Sequence, residues 1–280
     1  MNRFQTRILL ATDGSEDTAQ ATKAAVDIAT RSGSELHLIH VWHDVRTPHA
    51  HDFVKRELRQ QGREILDEEI KRIEEMGGTV ARSHLRQGRT FEEAIKLGEE
   101  LEAGLLVVGS RGHRGLRRML LGSHSEDVVH HAHRPVLVVR RGQNVWPPAR
   151  IVVGDDYSED ARKAVELAGN LGKLFGAPML LLHAVPRLPQ ASGEAVEAQL
   201  EDRAGKLEDV LQQRPQTRVV AGNSAEVLIE AAQEGEGPAL VAVGSRGLGT
   251  VGRLRLGSVS TKVIRAGLGV VLVYPHVGRR

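Results

Sequence analysis

One sequence pattern occurs twice in the chain, and this internal repeat limits the folds that its 280 residues can adopt. The segment Arg7–Asp17 shares six of its eleven residues with the segment Arg150–Asp160. Farther on, Gly109–Ser125 shares nine of its seventeen residues with Gly244–Ser260, without a gap. A repeat of this length is too long for a solenoid unit and has the size of a domain. We therefore predict two similar domains in tandem.

The offsets between the repeated segments locate the domain boundaries. Asp13 and its equivalent Asp156 lie 143 positions apart, but the later glycine-containing segments lie only 135 positions apart. The second copy is therefore eight residues shorter, and the loss lies between residues 184 and 222. A short connection with two consecutive prolines separates the copies and is expected to be stiff. These features predict a first domain over residues 1–142 and a second over residues 148–280.

Apolar runs and helical periodicity alternate within each copy, which predicts an α/β fold. The predicted strands are 8–11, 36–42, 79–85, 105–108 and 136–139, then 151–154, 179–185, 217–221, 240–243 and 270–274. The helices predicted in the first copy are 15–31, 53–76, 90–102 and 123–133, with Ser15 near one N-cap, Thr90 as another and Glu93 as its capping-box partner. Such alternation favours a doubly wound parallel sheet flanked by helices. Ligands of such sheets bind at the carboxyl ends of the strands.

The composition narrows the classes of site and partner. The chain has no cysteine, so disulfides and thiolate metal sites are excluded. Its 38 Lys and Arg residues are interspersed with 36 Asp and Glu residues, which gives no reason to expect a nucleic acid partner. No apolar stretch reaches the ~18 residues that span a bilayer, and the first residues do not resemble a secretory signal. We expect a cytoplasmic protein that does not enter the membrane.

Histidines are concentrated in the first copy, which contains eleven of the thirteen. No paired-ligand motif accompanies them, so we predict no metal site in the protein. His40 and His183 end matching strands of the two copies. A structural hydrogen bond is the favoured interpretation of both, over a catalytic base.

A glycine-containing loop follows the fourth strand of each copy. Gly109-Ser-Arg-Gly112 precedes Gly122-Ser123 by nine residues, and Gly244-Ser-Arg-Gly247 precedes Gly257-Ser258 by the same distance. Glycines allow a phosphate to approach the backbone, and consecutive N–H groups form an anion-binding nest. The N-terminus of the helix that follows also favours an anion. Glycines that serve only as turns, with serines that serve only as caps, are the alternative, but the repeated spacing favours binding.

This spacing, together with the aspartate and serine that follow strand one, resembles the universal stress protein family. The resemblance covers nearly the whole chain as two tandem domains, and the segment Arg246–Ser260 is similar to the ATP-binding branch of the family. It implies a five-stranded sheet of the adenine-nucleotide α-hydrolase type in each domain, with strand order 3-2-1-4-5. It also implies a regulatory, stress-response role, with ATP lying across strands one and four and at most slow hydrolysis.

The resemblance assigns a set of contact residues to each copy. In the first copy, the base and ribose contact Ala11, Thr12, Asp13, Val41, Val108 and Gly109, and the phosphates contact Gly112, Gly122, Ser123, His124 and Ser125. In the second copy, the corresponding residues are Gly154, Asp155, Asp156, Ala184, Val243 and Gly244, then Gly247, Gly257, Ser258, Val259 and Ser260. The carboxylate of an aspartate after strand one is suited to accept hydrogen bonds from ribose hydroxyls.

The two copies depart from the family pattern in different ways. His124 replaces a small apolar residue, and Glu126 adds a carboxylate to the first turn of the helix, where it competes with a phosphate. In the second copy Asp155 replaces the Thr12 of the first, which adds a negative charge or a ligand for Mg²⁺. We therefore predict ATP as the ligand, Mg²⁺ as an accompanying ion, and the second copy as the better phosphate site.

Two alternatives to ATP-dependent regulation stay open at this point. An adenylyl-transfer enzyme of the same fold group would carry a His-x-x-His or a Ser-Gly-Gly-x-Asp-Ser element after strand one, and neither copy has one. A nucleotide-free adaptor would act through contacts with an unknown protein partner. The last strands of family members pair across two domains, so the resemblance also implies pairing of the domains within the chain and a homodimer.

Overall fold

The computed structural model describes residues 7–43, 52–110, 123–187, 193–245 and 256–276. The chain folds into two compact units. One is Phe4–Arg141, called the N-terminal domain below, and the other contains Gly142–Arg280, called the C-terminal domain.

Each domain alternates strands with helices, as the sequence predicts. The N-terminal domain contains β1 Arg7–Ala11, α1 Ala19–Ser32, β2 Glu35–Trp42, α2 Asp52–Glu75, β3 Val80–Gln87, α3 Thr90–Glu100, β4 Leu105–Gly109, α4 Ser123–His131 and β5 Val136–Val139. The C-terminal domain contains β6 Arg150–Gly154, α5 Glu159–Phe175, β7 Met179–Val185, α6 Gly193–Leu211, β8 Gln216–Ala221, α7 Ser224–Gln233, β9 Ala239–Gly244, α8 Ser258–Arg265 and β10 Val270–Tyr274. The shorter second copy is visible in α6, which has 19 residues, whereas α2 has 24.

The described strands within each domain are parallel. Their order in the N-terminal domain is β3-β2-β1-β4-β5. In the C-terminal domain it is β8-β7-β6-β9-β10. Both arrangements correspond to the predicted order 3-2-1-4-5. The strand order reverses between the first and fourth strands of each domain, where ligands of open α/β sheets bind.

The centre of each sheet is covered on both faces by helices, and its residues are correspondingly apolar. β4 is buried along its whole length, and Ile151, Val152 and Val153 of β6 are at most 1% exposed. The helices that pack on these strands present small side chains, because a helix backbone that approaches a sheet closely leaves little room. Ala161, Ala164 and Ala168 of α5 are accordingly at most 2% exposed.

Two helix starts differ from the sequence prediction. A 3₁₀ turn over Glu16–Thr18 precedes α1, and the Ser15 hydroxyl donates to Asp13 Oδ1 at 2.6 Å instead of capping the helix. The capping box predicted at Thr90 and Glu93 is wrong. Arg89 has the extended N-cap conformation, its carbonyl accepts the Glu93 N–H, and Thr90 is already the first helical residue.

Membrane insertion is not expected from the sequence. Within the described residues, no helix combines the length and apolar character that crossing a bilayer requires.

Two histidines face each other between β2 and β3. The His37 and His84 rings are stacked with centroids 5.6 Å apart, and His37 Nδ1 lies 3.3 Å from His84 Nε2. Burial, together with the nearby charges of His37, Arg82 and Arg86, lowers the pKa of His84 from 6.5 to about 4. His84 is therefore neutral in the folded protein near neutral pH.

This shift predicts a loss of stability in mild acid. The unfolded chain takes up the His84 proton near its ordinary pKa of 6.5, whereas the folded chain takes it up only near 4. The free energy of unfolding is therefore expected to fall by about 1 kcal/mol as the pH drops across this window, with allowance for solvent screening. Urea denaturation at several pH values measures it. In H84Q the free energy of unfolding is expected to depend less on pH. In the control H133Q, which changes an exposed histidine, the dependence is expected to remain. Equal pH dependence in the two variants would contradict the assignment to His84.

Candidate functional site

A cavity of about 320 Å³ opens at the carboxyl ends of the central strands of the C-terminal domain. The ends of β6, β7 and β9 form its floor, and the first turn of α8 forms one side. Residues from the starts of α5 and α7 complete the described wall. The cavity thus lies where the strand order reverses, the position expected for a ligand.

Ten of the eleven residues predicted in the second copy line this cavity. They are Gly154, Asp155, Asp156, Ala184, Val243, Gly244, Gly257, Ser258, Val259 and Ser260. The eleventh, Gly247, lies outside the described residues. Five lining residues were not predicted, namely Ala161, Leu182, His183, Ser224 and Leu228. Leu182 and His183 precede Ala184 on β7, so their strand position was a signal, but only tertiary packing brings Ser224 and Leu228 of α7 to the cavity.

Two consecutive aspartates shape the turn after β6. Asp155 Oδ1 accepts the Tyr157 N–H at 2.9 Å, and Asp156 Oδ1 accepts the Ser158 N–H at 3.1 Å. Such bonds to the backbone two residues ahead are the usual way in which aspartate stabilises a turn. The Asp155 N–H also donates to Leu182 O at 2.9 Å and holds the turn against β7. Both carboxyl groups are therefore fixed at the strand end.

The first turn of α8 is attached to the end of β9 by two hydrogen bonds. The Gly257 N–H donates to Ser245 O, and the Ser260 hydroxyl donates to Gly244 O, both at 2.7 Å. Ser260 is 2% exposed, so its hydroxyl proton is already used inside the protein. Ser258 also lines the cavity but is exposed. Of the two serines predicted to contact phosphate, Ser258 is therefore the better placed donor.

Gly244 is required by packing. A Cβ at this residue would lie 2.8 Å from the Ala161 nitrogen and 2.9 Å from the Asp160 carbonyl carbon. These atoms belong to the first turn of α5, so a side chain at residue 244 would displace backbone. The sequence suggested that this glycine allows a phosphate to approach. The structure adds a second reason for a glycine at residue 244, which is the close packing of α5.

Asp155 carries the most unusual charge of the site. Its side chain is completely buried, and its Oδ2 lies 2.6 Å from Nε of Arg203 on α6, although the two atoms lack the alignment of a hydrogen bond. Burial raises the pKa of Asp155, and the Arg203 charge opposes that rise. No sequence pattern indicates this ion pair, since Arg203 lies in a charged helix far along the chain.

The ion pair argues against the predicted role of Asp155 as a ligand for Mg²⁺. A carboxylate that already contacts a guanidinium has its charge offset, and a second cation on it would be repelled. The residues present therefore do not fit a protein-held Mg²⁺ at Asp155.

Comparison with known proteins identifies the family. The model of the universal stress protein family matches residues 5–140 and 148–275. The chain belongs to the universal stress protein family. A universal stress protein of Mycobacterium tuberculosis is 34% identical, over 97% of each chain. A solved universal stress protein of Archaeoglobus fulgidus has a TM-score of 0.77 at 24% identity and covers 97% of this chain and 99% of its own, which shows a shared fold.

A further solved relative was determined with a bound ligand. It is a universal stress protein in complex with cAMP, 27% identical, which covers 49% of this chain and 98% of its own with a TM-score of 0.41. The complex with cAMP is a property of that relative.

His40 and His183, two residues before the ends of β2 and β7, have the predicted structural role. His40 Nδ1 lies 2.9 Å from the Thr12 carbonyl oxygen, and His183 Nδ1 lies 2.6 Å from the Asp155 carbonyl oxygen. Each histidine thus lies on the second strand of its domain and fixes the turn that follows the first strand. This confirms the hydrogen-bonded interpretation.

The base end of the first site is described, whereas much of its phosphate end is not. Ala11, Thr12 and Asp13 end or follow β1, Val41 lies on β2, and Val108 and Gly109 end β4. Gly112 and Gly122 lie outside the described residues, and so do the side chains of Ser123, His124, Ser125 and Glu126 at the start of α4. The predicted competition between Glu126 and a phosphate therefore stays a prediction.

A serine, a histidine and an aspartate meet beside the cavity, but not as a hydrolytic triad. The Ser245 hydroxyl donates to Asp160 Oδ2 at 3.4 Å, and His276 Nδ1 lies 3.1 Å from both carboxylate oxygens. Serine and histidine thus both contact the aspartate. A nucleophilic serine would instead have to donate to the histidine, which is the base that activates it.

Proposed function

We propose that the C-terminal domain binds ATP and that the protein acts as a regulatory module of the stress response. The observation that carries this proposal is the cavity of about 320 Å³, which joins two strand-end aspartates to the start of α8. Its volume is within the range of small-molecule sites. We place the base and ribose over the strand ends and the phosphates at α8.

The lining of the cavity suits the two ends of a nucleotide. Leu182, Ala184 and Val243 supply apolar surface for a base. Asp156 lies at the strand end, where its carboxylate can accept hydrogen bonds from ribose hydroxyls. At the other end, the first turn of α8 has no acidic residue, and Lys262 and Arg265 lie in its last turn. The N–H groups of a helix N-terminus favour a phosphate.

The same lining supports binding more than rapid hydrolysis. The ionisable side chains among the described lining residues are Asp155, Asp156 and His183. Asp155 contacts Arg203, Asp156 accepts a turn N–H, and His183 contacts a backbone carbonyl. Fast phosphoryl transfer relies on a residue that positions the attacking nucleophile. We therefore propose that ATP is hydrolysed at most slowly and acts as a signal.

A charge at the start of α8 tests the proposal. S258D is expected to weaken ATP binding by about tenfold or more, because a carboxylate at the helix start repels phosphate. It is not expected to destabilise the helix, because an acidic residue in the first turn interacts favourably with the helix dipole. The matched variant S258N has a side chain of the same shape without the charge and is expected to bind within about threefold of the original chain. Isothermal titration with ATP, AMP and cAMP measures all three proteins.

The outcome separates the alternatives. An original chain that binds none of the three nucleotides would contradict ATP binding and favour the nucleotide-free adaptor. If S258D bound ATP as tightly as the unsubstituted protein, the phosphates would not lie at the start of α8. The variant G122V would then test whether ATP binds to the N-terminal domain. The cytoplasmic location, the homodimer, the pairing of the two domains and the unknown protein partner stay predictions.

A further inference from the structure

Four side chains of the C-terminal domain stand between the cavity described above and a second cavity. Asp155 and His183 line the first cavity. Tyr157 and Arg203 line the second, which has a volume of about 900 Å³ and lies between α5 and α6. Arg203 contacts Asp155 at 2.6 Å, and the Tyr157 and His183 rings have centroids 4.6 Å apart. Arg203 therefore reaches the nucleotide cavity only through Asp155.

The turn after β6 does not need the charge of Asp155. In the N-terminal domain Thr12 occupies the equivalent position, and its hydroxyl oxygen accepts the Gly14 N–H at 3.1 Å. This bond corresponds to the one between Asp155 Oδ1 and the Tyr157 N–H at 2.9 Å. A neutral side chain thus supports the same turn in the N-terminal domain. The buried carboxylate of Asp155 in the C-terminal domain must therefore serve another purpose than the turn.

The two domains also differ at Tyr157, which replaces Gly14 of the N-terminal domain and has a strained backbone. Its φ is +64°, where Gly14 has +73°. A bulky residue is a genuine outlier in this region, and such residues cluster at functional sites. The Tyr157 ring lies 5.8 Å from the Arg203 guanidinium carbon, and its hydroxyl donates to Val196 O on α6 at 3.4 Å. The strained tyrosine thus contributes one surface that holds the Arg203 side chain.

The Arg203 guanidinium lies against the Asp155 carboxylate as an ion pair. Its Nη2 atom is buried and has no hydrogen-bond partner among the described residues. Only about a fifth of its side chain is exposed, at 20%, and that of Asp155 is fully buried. A buried carboxylate in the wall of a cavity for a polyanion would repel that ligand unless a cation offset it.

We propose that Arg203 is a positioning residue of the nucleotide site, which offsets the charge of Asp155 and thereby allows a polyanionic nucleotide to bind beside it. The proposal rests on ATP binding in the C-terminal domain. It adds that this site selects ligands by charge through a residue that the nucleotide does not touch. The N-terminal domain, with Thr12 at the equivalent position, has no such requirement.

The test compares ATP with adenosine, which shares the base and ribose of ATP but lacks its charged triphosphate. In the full chain, R203M is expected to weaken ATP binding by about tenfold or more, because the carboxylate of Asp155 loses its partner. Adenosine, which has no phosphate, is expected to change by less than about threefold. R203K keeps the charge and is expected to retain most of the ATP affinity. Once Asp155 is neutral, Arg203 has no charge to offset, so D155N/R203M is expected to bind ATP within about threefold of D155N.

Isothermal titration gives the affinities, and thermal unfolding shows which variants are folded. Equal loss of ATP and adenosine binding in R203M would overturn the proposal, because a merely structural role weakens both ligands. A folded D155N/R203M that binds ATP tenfold or more weakly than D155N would also overturn it. If the unsubstituted protein bound no nucleotide, the proposed function itself would be contradicted. If R203M bound ATP as tightly as the unsubstituted protein, only this inference would be contradicted.

Discussion

G244A is expected to lower the free energy of unfolding by about 3 kcal/mol, the upper part of the range for overpacked sites. The added methyl group would lie 2.8 Å from the Ala161 nitrogen and 2.9 Å from two atoms of Asp160. Because two of these three atoms are backbone, a side-chain rotation cannot relieve the contact. The end of β9 and the start of α5 would have to separate, which would also disturb the floor of the cavity.

A second glycine of the same domain provides the control. Gly205 lies inside α6, and a Cβ there would meet no atom within 4 Å. G205A is expected to raise the free energy of unfolding by up to about 1 kcal/mol, because alanine favours a helix interior more than glycine does. Urea denaturation of the full chain measures both variants. A stability of G244A equal to that of G205A would show that α5 tolerates a side chain at residue 244.

R150M is expected to lower the free energy of unfolding by about 2 kcal/mol, the typical contribution of hydrogen bonds to a charged group. The Arg150 guanidinium donates to three backbone carbonyls that follow or end α7. Nη2 donates to Ala232 O at 2.7 Å, and Nη1 donates to Glu236 O at 2.8 Å and Gly237 O at 2.9 Å. The arginine thus joins the start of β6 to the end of α7, and methionine cannot replace any of these bonds.

An exposed arginine is the matched control for this variant. Arg162 forms ion pairs with Glu159 and Glu166 on the surface of α5. Exposed pairs of this kind contribute little, so R162M is expected to change the stability by at most about 0.5 kcal/mol. Chemical denaturation followed by circular dichroism compares the two. If R162M proved as destabilising as R150M, the distinction between carbonyl-bound and surface arginines would be wrong.

The strands and the position of the site could be predicted because their signals are local. Short apolar runs such as Leu105–Val108 identified the strands, and spacing identified the glycines and serines after β9. In a parallel sheet the carboxyl ends of neighbouring strands meet at one edge. Residues at or just after the carboxyl ends of different strands, such as Val243 and Asp156, can therefore be predicted to share one cavity without any knowledge of side-chain packing.

Helix starts were predicted less well, because several residue types compete for the same backbone groups. Thr90 and Glu93 have the spacing of a capping box, yet the helix includes Thr90 and Arg89 precedes it without a side-chain cap. Asn223 caps the equivalent helix of the C-terminal domain through the N–H groups of Ala225 and Glu226. The sequence pattern alone did not distinguish a cap from a first helical residue one position away.

The sequence by itself determined the tandem repeat and the doubly wound sheets, because periodicity and spacing along the chain are local signals. The resemblance to the universal stress protein family implied the strand order and the set of strand-end contact residues. Only the tertiary structure decided how those residues are used. It assigned the Ser260 hydroxyl to Gly244 O, brought the first turn of α5 against Gly244, and set Arg203 against Asp155. These contacts depend on how each helix is placed over the sheet, and helix placement follows from packing across the whole domain.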